Sequence, residues 1–165
     1  MALNAYLKLK AQKQGDIKGS VTQKGREGKI AVIAAAHGVA SPHDDSGQAT
    51  GRRVHQPFVI TKELDKSSPL LYQAFVNNEL ITEWELQFWA PATTAAASVG
   101  AEVQRYTVRL SNASIVDIAF RMLNNKNPEL QRYPEYEEVS FSYQAIQWIW
   151  TDGGVTAKDE WGAPA

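Results

Sequence analysis

Apolar and polar residues alternate with a period of two along much of this 165-residue chain. Leu3, Ala5, Leu7 and Leu9 share one phase, and Asn4, Tyr6, Lys8 and Lys10 the other. Trp84, Leu86 and Phe88 alternate with Glu83, Glu85 and Gln87, and Val116, Ile118, Phe120 and Met122 alternate with Asp117, Ala119 and Arg121. Successive side chains of a strand point to opposite faces, so each pattern predicts a strand with one buried and one wet face. Antiparallel sheets accommodate such strands. Further strands are predicted over 29–36, 53–62, 102–110 and 138–150. Ser111-Asn112 predicts a tight turn, and Asp152-Gly153-Gly154 a hairpin, because Gly and Asp accept the positive φ that such turns require.

Within 138–150 the apolar phase changes. Val139, Phe141 and Tyr143 lie at odd positions, whereas Ile146, Trp148 and Trp150 lie at even ones. That change requires a bulge, or a chain that passes from one sheet face to another. Long bent strands of this kind close barrels. Two runs, 30–36 and 144–150, are apolar on both phases and call for cover on both sides. One short helix cannot supply it, which points to self-association. Trp89 and Ile149, out of phase with their neighbours, are the candidates for a partner-covered face.

That helix is predicted from Ser68 as N-cap, with Pro69 at the first helical position, where its missing N–H is harmless. Leu71, Ala74, Phe75 and Asn78 follow at helical spacing, and Asn77-Asn78 ends the element. The segment 41–52 has no apolar period and carries Pro42, Asp44, Asp45, Ser46, Gly47 and Gly51, so it reads as a long exposed loop. Loops of that length in compact domains are usually functional. A second small-residue stretch spans 91–101, and the tail after Trp161 is expected to be loose.

At this length one domain is expected. No stretch reaches the roughly 20 apolar residues of a membrane helix. The absence of cysteine excludes disulfides, zinc thiolates and cysteine nucleophiles. Residues 1–10 contain no continuous apolar block, so a cytosolic chain without a signal peptide is expected, with any export left to another machine. The net charge of -1 gives no field for nucleic acid. It is unevenly spread: residues 1–29 hold seven Lys/Arg against two Asp/Glu, a net +5, and residues 129–165 hold two against seven, a net -5. A bipolar chain favours head-to-tail association.

Candidate chemistry is sparse. His43 beside Asp44 and Asp45 matches no ligand spacing for a metal. Glu83 and Glu85 sit on the polar side of a strand, and Glu137-Glu138 are adjacent; a glycosidase needs two carboxyls converging across a sugar. Gly25-Arg26-Glu27-Gly28-Lys29 lacks the glycine spacing and the Ser/Thr of a phosphate loop and reads as a β turn. No Gly-x-Ser-x-Gly elbow occurs. The aromatics Trp84, Phe88, Trp89, Phe141, Tyr143, Trp148 and Trp150 fit either a barrel core or a platform for a carbohydrate or peptide.

Three segments carry a family resemblance: Ala5-Tyr6-Leu7-Lys8-Leu9-Lys10; Thr61-Lys62-Glu63-Leu64-Asp65-Lys66-Ser67-Ser68-Pro69-Leu70-Leu71; and Glu137-Glu138-Val139-Ser140-Phe141-Ser142-Tyr143-Gln144-Ala145-Ile146-Gln147-Trp148. In this order, over nearly the whole chain, they resemble the haemolysin-coregulated (Hcp) tube proteins of bacterial type VI secretion. The resemblance implies a mainly β, two-sheet, barrel-like domain with one short helix on its side. It implies a structural protein without cofactor or catalytic residue, assembled as a homohexameric ring with a central channel. Such rings stack into a tube driven out of the cell by a contractile sheath, tipped by a spike protein and carrying effectors in its lumen. By position, the loop with Ser41, Pro42, Asp44, Asp45, Gly47, Thr50, Gly51 and Arg52 would reach a neighbouring ring. The strand with Ile30, Val32, Ala34 and Ala36 would help line the channel. Neither nucleic acid nor membrane insertion is implied. A carbohydrate- or peptide-binding β module and a hydrolase built on Glu137/Glu138 or His43/Asp44 are the competing readings at this point.

Overall fold

The computed structural model describes residues 3–92 and 100–161; the Ala95-Ala96-Ala97 run and the tail past Trp161 lie outside them. The strands are β1 (Ala5–Ala11), β2 (Gly15–Asp16), β3 (Ile30–Val32), β4 (Ala34–Ala36), β5 (Val39–Ala40), β6 (Val54–His55) and β7 (Phe58–Glu63). Helix α1 (Ser68–Val76) follows, then β8 (Ile81–Pro91), β9 (Glu102–Ser111), β10 (Ser114–Arg121), β11 (Tyr136–Ser142), β12 (Ala145–Trp150) and β13 (Val155–Glu160). They form a seven-stranded sheet in the order β13-β12-β9-β8-β1-β2, with β3 also paired to β1, a four-stranded sheet β10-β11-β7-β4, and a two-stranded ribbon β5-β6. Every pairing is antiparallel. The two large sheets enclose a shared core in a barrel-like arrangement, without continuous strand pairing around it.

Two of the alternating strands, β1 and β8, bury the phase expected of them. Ala5, Leu7, Leu9 and Ala11 of β1 and Trp84 and Leu86 of β8 enter the core, where they meet Ile60, Val139 and Phe141 of the other sheet. Trp84 makes edge contacts with Phe58 and Phe141, at ring separations of 4.9 and 5.6 Å, a favoured geometry for aromatic pairs. On the outer face of the larger sheet, Lys8 pairs with Glu83 at 2.7 Å and Arg109 with Glu85 at 2.7 Å.

Phase changes mark the places where the chain leaves one sheet for the other. The run over 29–36 is not one doubly covered strand. β3 pairs with β1 and β4 with β7, and the switch falls at Ile33, whose N–H donates to the Thr61 carbonyl at 2.9 Å. Each half therefore needs cover on one side only, which removes this run from the case for self-association. The predicted strand over 138–150 is likewise two strands, β11 in the smaller sheet and β12 in the larger, with Tyr143-Gln144 at the corner. Ser111-Asn112 turns tightly at a second corner, with Asn112 at φ 49°. There the Gln144 N–H donates to the Ser111 carbonyl at 3.0 Å. By contrast, Asp152-Gly153-Gly154 closes a true hairpin between β12 and β13, Gly153 lying at φ 80°.

Two local expectations shift. In β10 a bulge at Val116 turns Ile115 into the core and leaves Val116 45% exposed; beyond it Ile118 packs against the core as expected, whereas Phe120 at the strand's end and Met122 past it are 52% and 57% exposed. Helix α1 begins one residue early: Ser67 occupies the cap, without a side-chain cap bond. Asp65 organises the start instead, its Oδ1 accepting from the Ser67 N–H at 2.9 Å and the Ser67 hydroxyl at 2.5 Å. Ser68 Oγ accepts from Lys62 Nζ at 3.0 Å. Leu71 and Ala74 face the core, with Phe75 against it.

Candidate assembly surfaces

Segment 41–52 is solvent-exposed at every residue, yet it is built rather than loose. Its legs pair as Val39 with His55 and Ala40 with Val54, and the Gln56 N–H donates to the Gly38 carbonyl at 2.9 Å. Further out, the Thr50 N–H donates to the Pro42 carbonyl at 2.9 Å, and His43 bridges Ala49. Asp44 shapes the tip: its Oδ1 accepts from the Ser46 hydroxyl at 2.6 Å and from the Ser46 and Gln48 N–H groups, both at 2.9 Å. These bonds, the Ser46 hydroxyl foremost, hold the Asp44 carboxyl below its ordinary value. Gly47 supplies the positive φ of 84° that closes the turn. Ser41 contributes its carbonyl to His43 Nδ1 at 2.7 Å. A Cβ at Gly51 would come within 3.4 Å of Pro42 Cγ. Asp45, Thr50 and Arg52 present exposed side chains around this frame. The result is a finger of defined shape.

The other predicted set divides. Ile30 and Val32 are buried in the core, 0% and 2% exposed, so their side chains do not face a channel; Ala34 and Ala36 are exposed. Strand register explains this. Val139 and Ile60 point inward, so the rows beside them point out: Ala34, Thr61, Glu138 and Ala119 form one outer row, and Ala36, Val59, Ser140 and Asp117 the next. Apart from Glu138, these two rows of the outer wall carry short side chains, and the row beyond them holds Glu63, Tyr136 and Arg121. At one end of this wall an open groove of about 410 Å³ is lined by Ile33, Leu123, Tyr133 and Tyr136 among others. Its neighbours Ile33 and Tyr133 are 48% and 49% exposed.

Most of the carboxylates and aromatics raised for other chemistries are engaged within the fold. Glu137 is fully buried and bound to Lys62 Nζ at 2.8 Å. Glu83 and Glu85 are in ion pairs on the outer face. His43 lies in the finger, apart from the other histidines, and among the described residues no group of three His, Cys, Asp or Glu is placed to hold a metal. Trp84 and Phe141 are core residues. Trp89 is covered from within its own chain, by the Arg26 guanidinium 4.1 Å above the ring. Arg26 also lies over Tyr6 and reaches Glu102 Oε2 at 2.5 Å, so the 25–29 turn serves as a lid on the larger sheet rather than as a phosphate loop.

The fold as a whole is shared with known proteins. Residues 6–150 match the family described as type VI secretion system effector, Hcp. The chain belongs to the Hcp family. It is 38% identical to the major exported protein of Pseudomonas aeruginosa over 174 residues, covering 99% of this chain and 98% of that one. A solved Hcp protein superposes with a TM-score of 0.87 at 30% identity, covering 98% and 99% of the two chains. The Hcp1 protein of E. coli EAEC 042, in a double tryptophan mutant, gives 0.81 at 33% identity, covering 97% and 99%. Hcp proteins are exported, structural components of type VI secretion rather than enzymes. The Thr61–Leu71 stretch that carried the resemblance has a structural explanation. Lys62, Asp65, Ser67 and Ser68 fasten the start of α1 to the sheet, and Lys62 joins Glu137 of the third resembling segment. Sequence reasoning missed a second cluster, Arg53, His55, Tyr143 and Asp159 with His37. Its members are dispersed along the chain, so no local motif marks them.

Proposed function

We propose that all 165 residues form one tube-protein domain that closes into a homohexameric ring, and that rings stack through the 41–52 finger into the inner tube of a type VI machine. The observation that carries this reading is the finger itself: twelve consecutive exposed residues held in one shape by their own hydrogen bonds. Ordering a polar loop costs conformational entropy, and a partner that receives a preformed finger is spared that cost. In this reading the outer face of the smaller sheet, with Ala34 and Ala36, lines the lumen through which effectors travel. The sheath would surround the tube, and a spike protein would meet its end. Subunits would assemble in the cytoplasm and leave through the machine.

Light scattering coupled to size exclusion tests the ring, and negative-stain microscopy of concentrated protein tests stacking. The parent chain is expected at the mass of six chains and as tubes. A variant with 43–50 replaced by a short Gly-Ser turn is expected to keep the six-chain mass and lose the tubes. A monomeric parent would overturn the ring; tubes from the shortened variant would remove the finger from the stack.

A further inference from the structure

At the base of the finger lies a cluster to which the proposed function gives no role. His37 Nε2 is 2.6 Å from the Tyr143 hydroxyl, and His55 Nδ1 is 2.8 Å from the same oxygen. His55 Nε2 is 2.6 Å from Asp159 Oδ2. Arg53 grips both Asp159 oxygens through Nε and a terminal nitrogen. The contributing elements are the β4–β5 link (His37), the β6 leg (Arg53, His55), the β11–β12 corner (Tyr143) and β13 (Asp159). Phe58 stacks on His37 at 5.0 Å, and Trp148 and Trp161 flank the two imidazoles at 6.5 and 5.6 Å. Glu160 offers the cluster its carbonyl, to Arg53, while its carboxylate turns to Lys158. His55 and Tyr143 are buried.

We propose that His37, Tyr143, His55 and Asp159 form a directed hydrogen-bond relay that accommodates one added proton, and that a second proton releases the legs of the 41–52 finger. The roles follow from which atoms can donate. Ionised Asp159 only accepts, so His55 carries a proton on Nε2. In the neutral ring His55 Nδ1 then accepts, and takes the Tyr143 hydroxyl proton. The Tyr143 oxygen is left as an acceptor, so His37 donates from Nε2. When His55 takes up a proton on Nδ1 it donates to Tyr143, and the hydroxyl turns to His37. His37 Nε2 must then accept, so that ring gives its Nε2 proton to water and takes one at Nδ1. One proton reverses the chain without breaking it.

A second proton, on His37, sets two cations 6.4 Å apart around one phenol oxygen, and the hydroxyl proton loses its acceptor in the relay. Burial, and then the facing His55, already hold the His37 imidazole below its ordinary value. Burial, aided by Asp159, pushes the Tyr143 phenol up to about 12, so Tyr143 keeps its proton throughout. Because His37 and His55 flank the two legs of the finger, loss of the relay frees its base. This proposal depends on how the finger is attached to its own chain, not on ring stacking.

Histidine nitrogen-proton correlation spectra of the full chain, titrated from about pH 8 to 5, test it. Both His37 and His55 are expected in the Nε2–H form at the alkaline end. His37 is expected to switch to Nδ1–H as His55 becomes doubly protonated. Amide exchange at Gln56, paired to Gly38, is expected to rise about tenfold or more when His37 is protonated in turn. In Tyr143→Phe, His37 is expected to keep one tautomer while His55 titrates. In His37→Gln, the exchange step is expected to vanish, a readout available even where Tyr143→Phe does not fold. Independent titration of the two rings in the parent, or an alkaline His55 in the Nδ1–H form, would overturn the relay. Unchanged Gln56 exchange on His37 protonation would overturn the release.

Discussion

Lys62 and Glu137 face each other across β7 and β11, and both side chains are 0% exposed. Lys62 Nζ is surrounded by oxygen: Glu137 Oε1 at 2.8 Å, the Glu63 carbonyl at 2.9 Å, Ser68 Oγ at 3.0 Å and Asp65 Oδ1 at 3.1 Å. Glu137 has fewer partners, and its Oε2 bonds none of the described residues. Lys62→Met therefore strands a buried carboxylate, whereas Glu137→Leu leaves the ammonium with Asp65 as counterion. Removing one partner of a buried pair costs about 3–5 kcal/mol. We expect Lys62→Met near the top of that range and Glu137→Leu near or below its bottom. For a chain of this size about 3–5 kcal/mol corresponds to roughly 6–20 °C in Tm. The double variant removes both charges and fills the space with apolar atoms, so it should recover most of the loss. Urea unfolding of the four proteins, combined as a double-mutant cycle, measures the coupling. Additive losses in the double variant would refute this assignment.

Other outcomes follow from the same structure. A Cβ at Gly19 would lie 2.5 Å from the Lys29 carbonyl oxygen and 2.6 Å from Ile30 Cα, so Gly19→Ala should destabilise by about 1–3 kcal/mol, read by thermal melting. Arg53, bonded to Asp159, holds that carboxyl down to about 2, from an ordinary 3.8. The folded value lies below the unfolded one, so this contribution is complete above pH 3.8 and is lost as the pH falls through about 2. Melting scans from about pH 5 downward should show a decline that Asp159→Asn flattens. Tube stacking, in the proposed assembly, should weaken as salt rises, because surface attractions are screened over about 8 Å at physiological ionic strength; a turbidity or sedimentation series that is flat in salt would show that the +5 and -5 segments do not meet.

How much of this was legible beforehand depended on the range of each interaction. Period-two patterns in β1 and β8 named the core face correctly, because each side chain's direction follows from its neighbours. Turn residues placed the Asp152–Gly154 hairpin and the finger, since positive φ and Asx bonding are local properties. The phase change after Tyr143 was visible, and so was the doubly apolar run over 30–36, but the meaning of that run was not: an apolar run serves equally for a doubly covered strand and for one that changes sheets, and only strand partners distinguish them. The resemblance, carried over by position, put Ile30 and Val32 on a channel wall, whereas their side chains are buried in the core. The Thr61–Leu71 motif was recognisable, yet that its lysine is buried against Glu137 could not be read, because 75 residues separate the pair. The relay at the finger's base had no local signature. His37, Arg53, His55, Tyr143 and Asp159 are ordinary residues in sequence, and they become a network only where two sheet corners, a ribbon and the last strand converge. The sequence determined what is encoded between neighbours: strand phase, turn chemistry, the family-bearing segments. Tertiary structure decided which phase meets which, and so where buried charge finds its partner, because those choices rest on contacts between residues far apart along the chain.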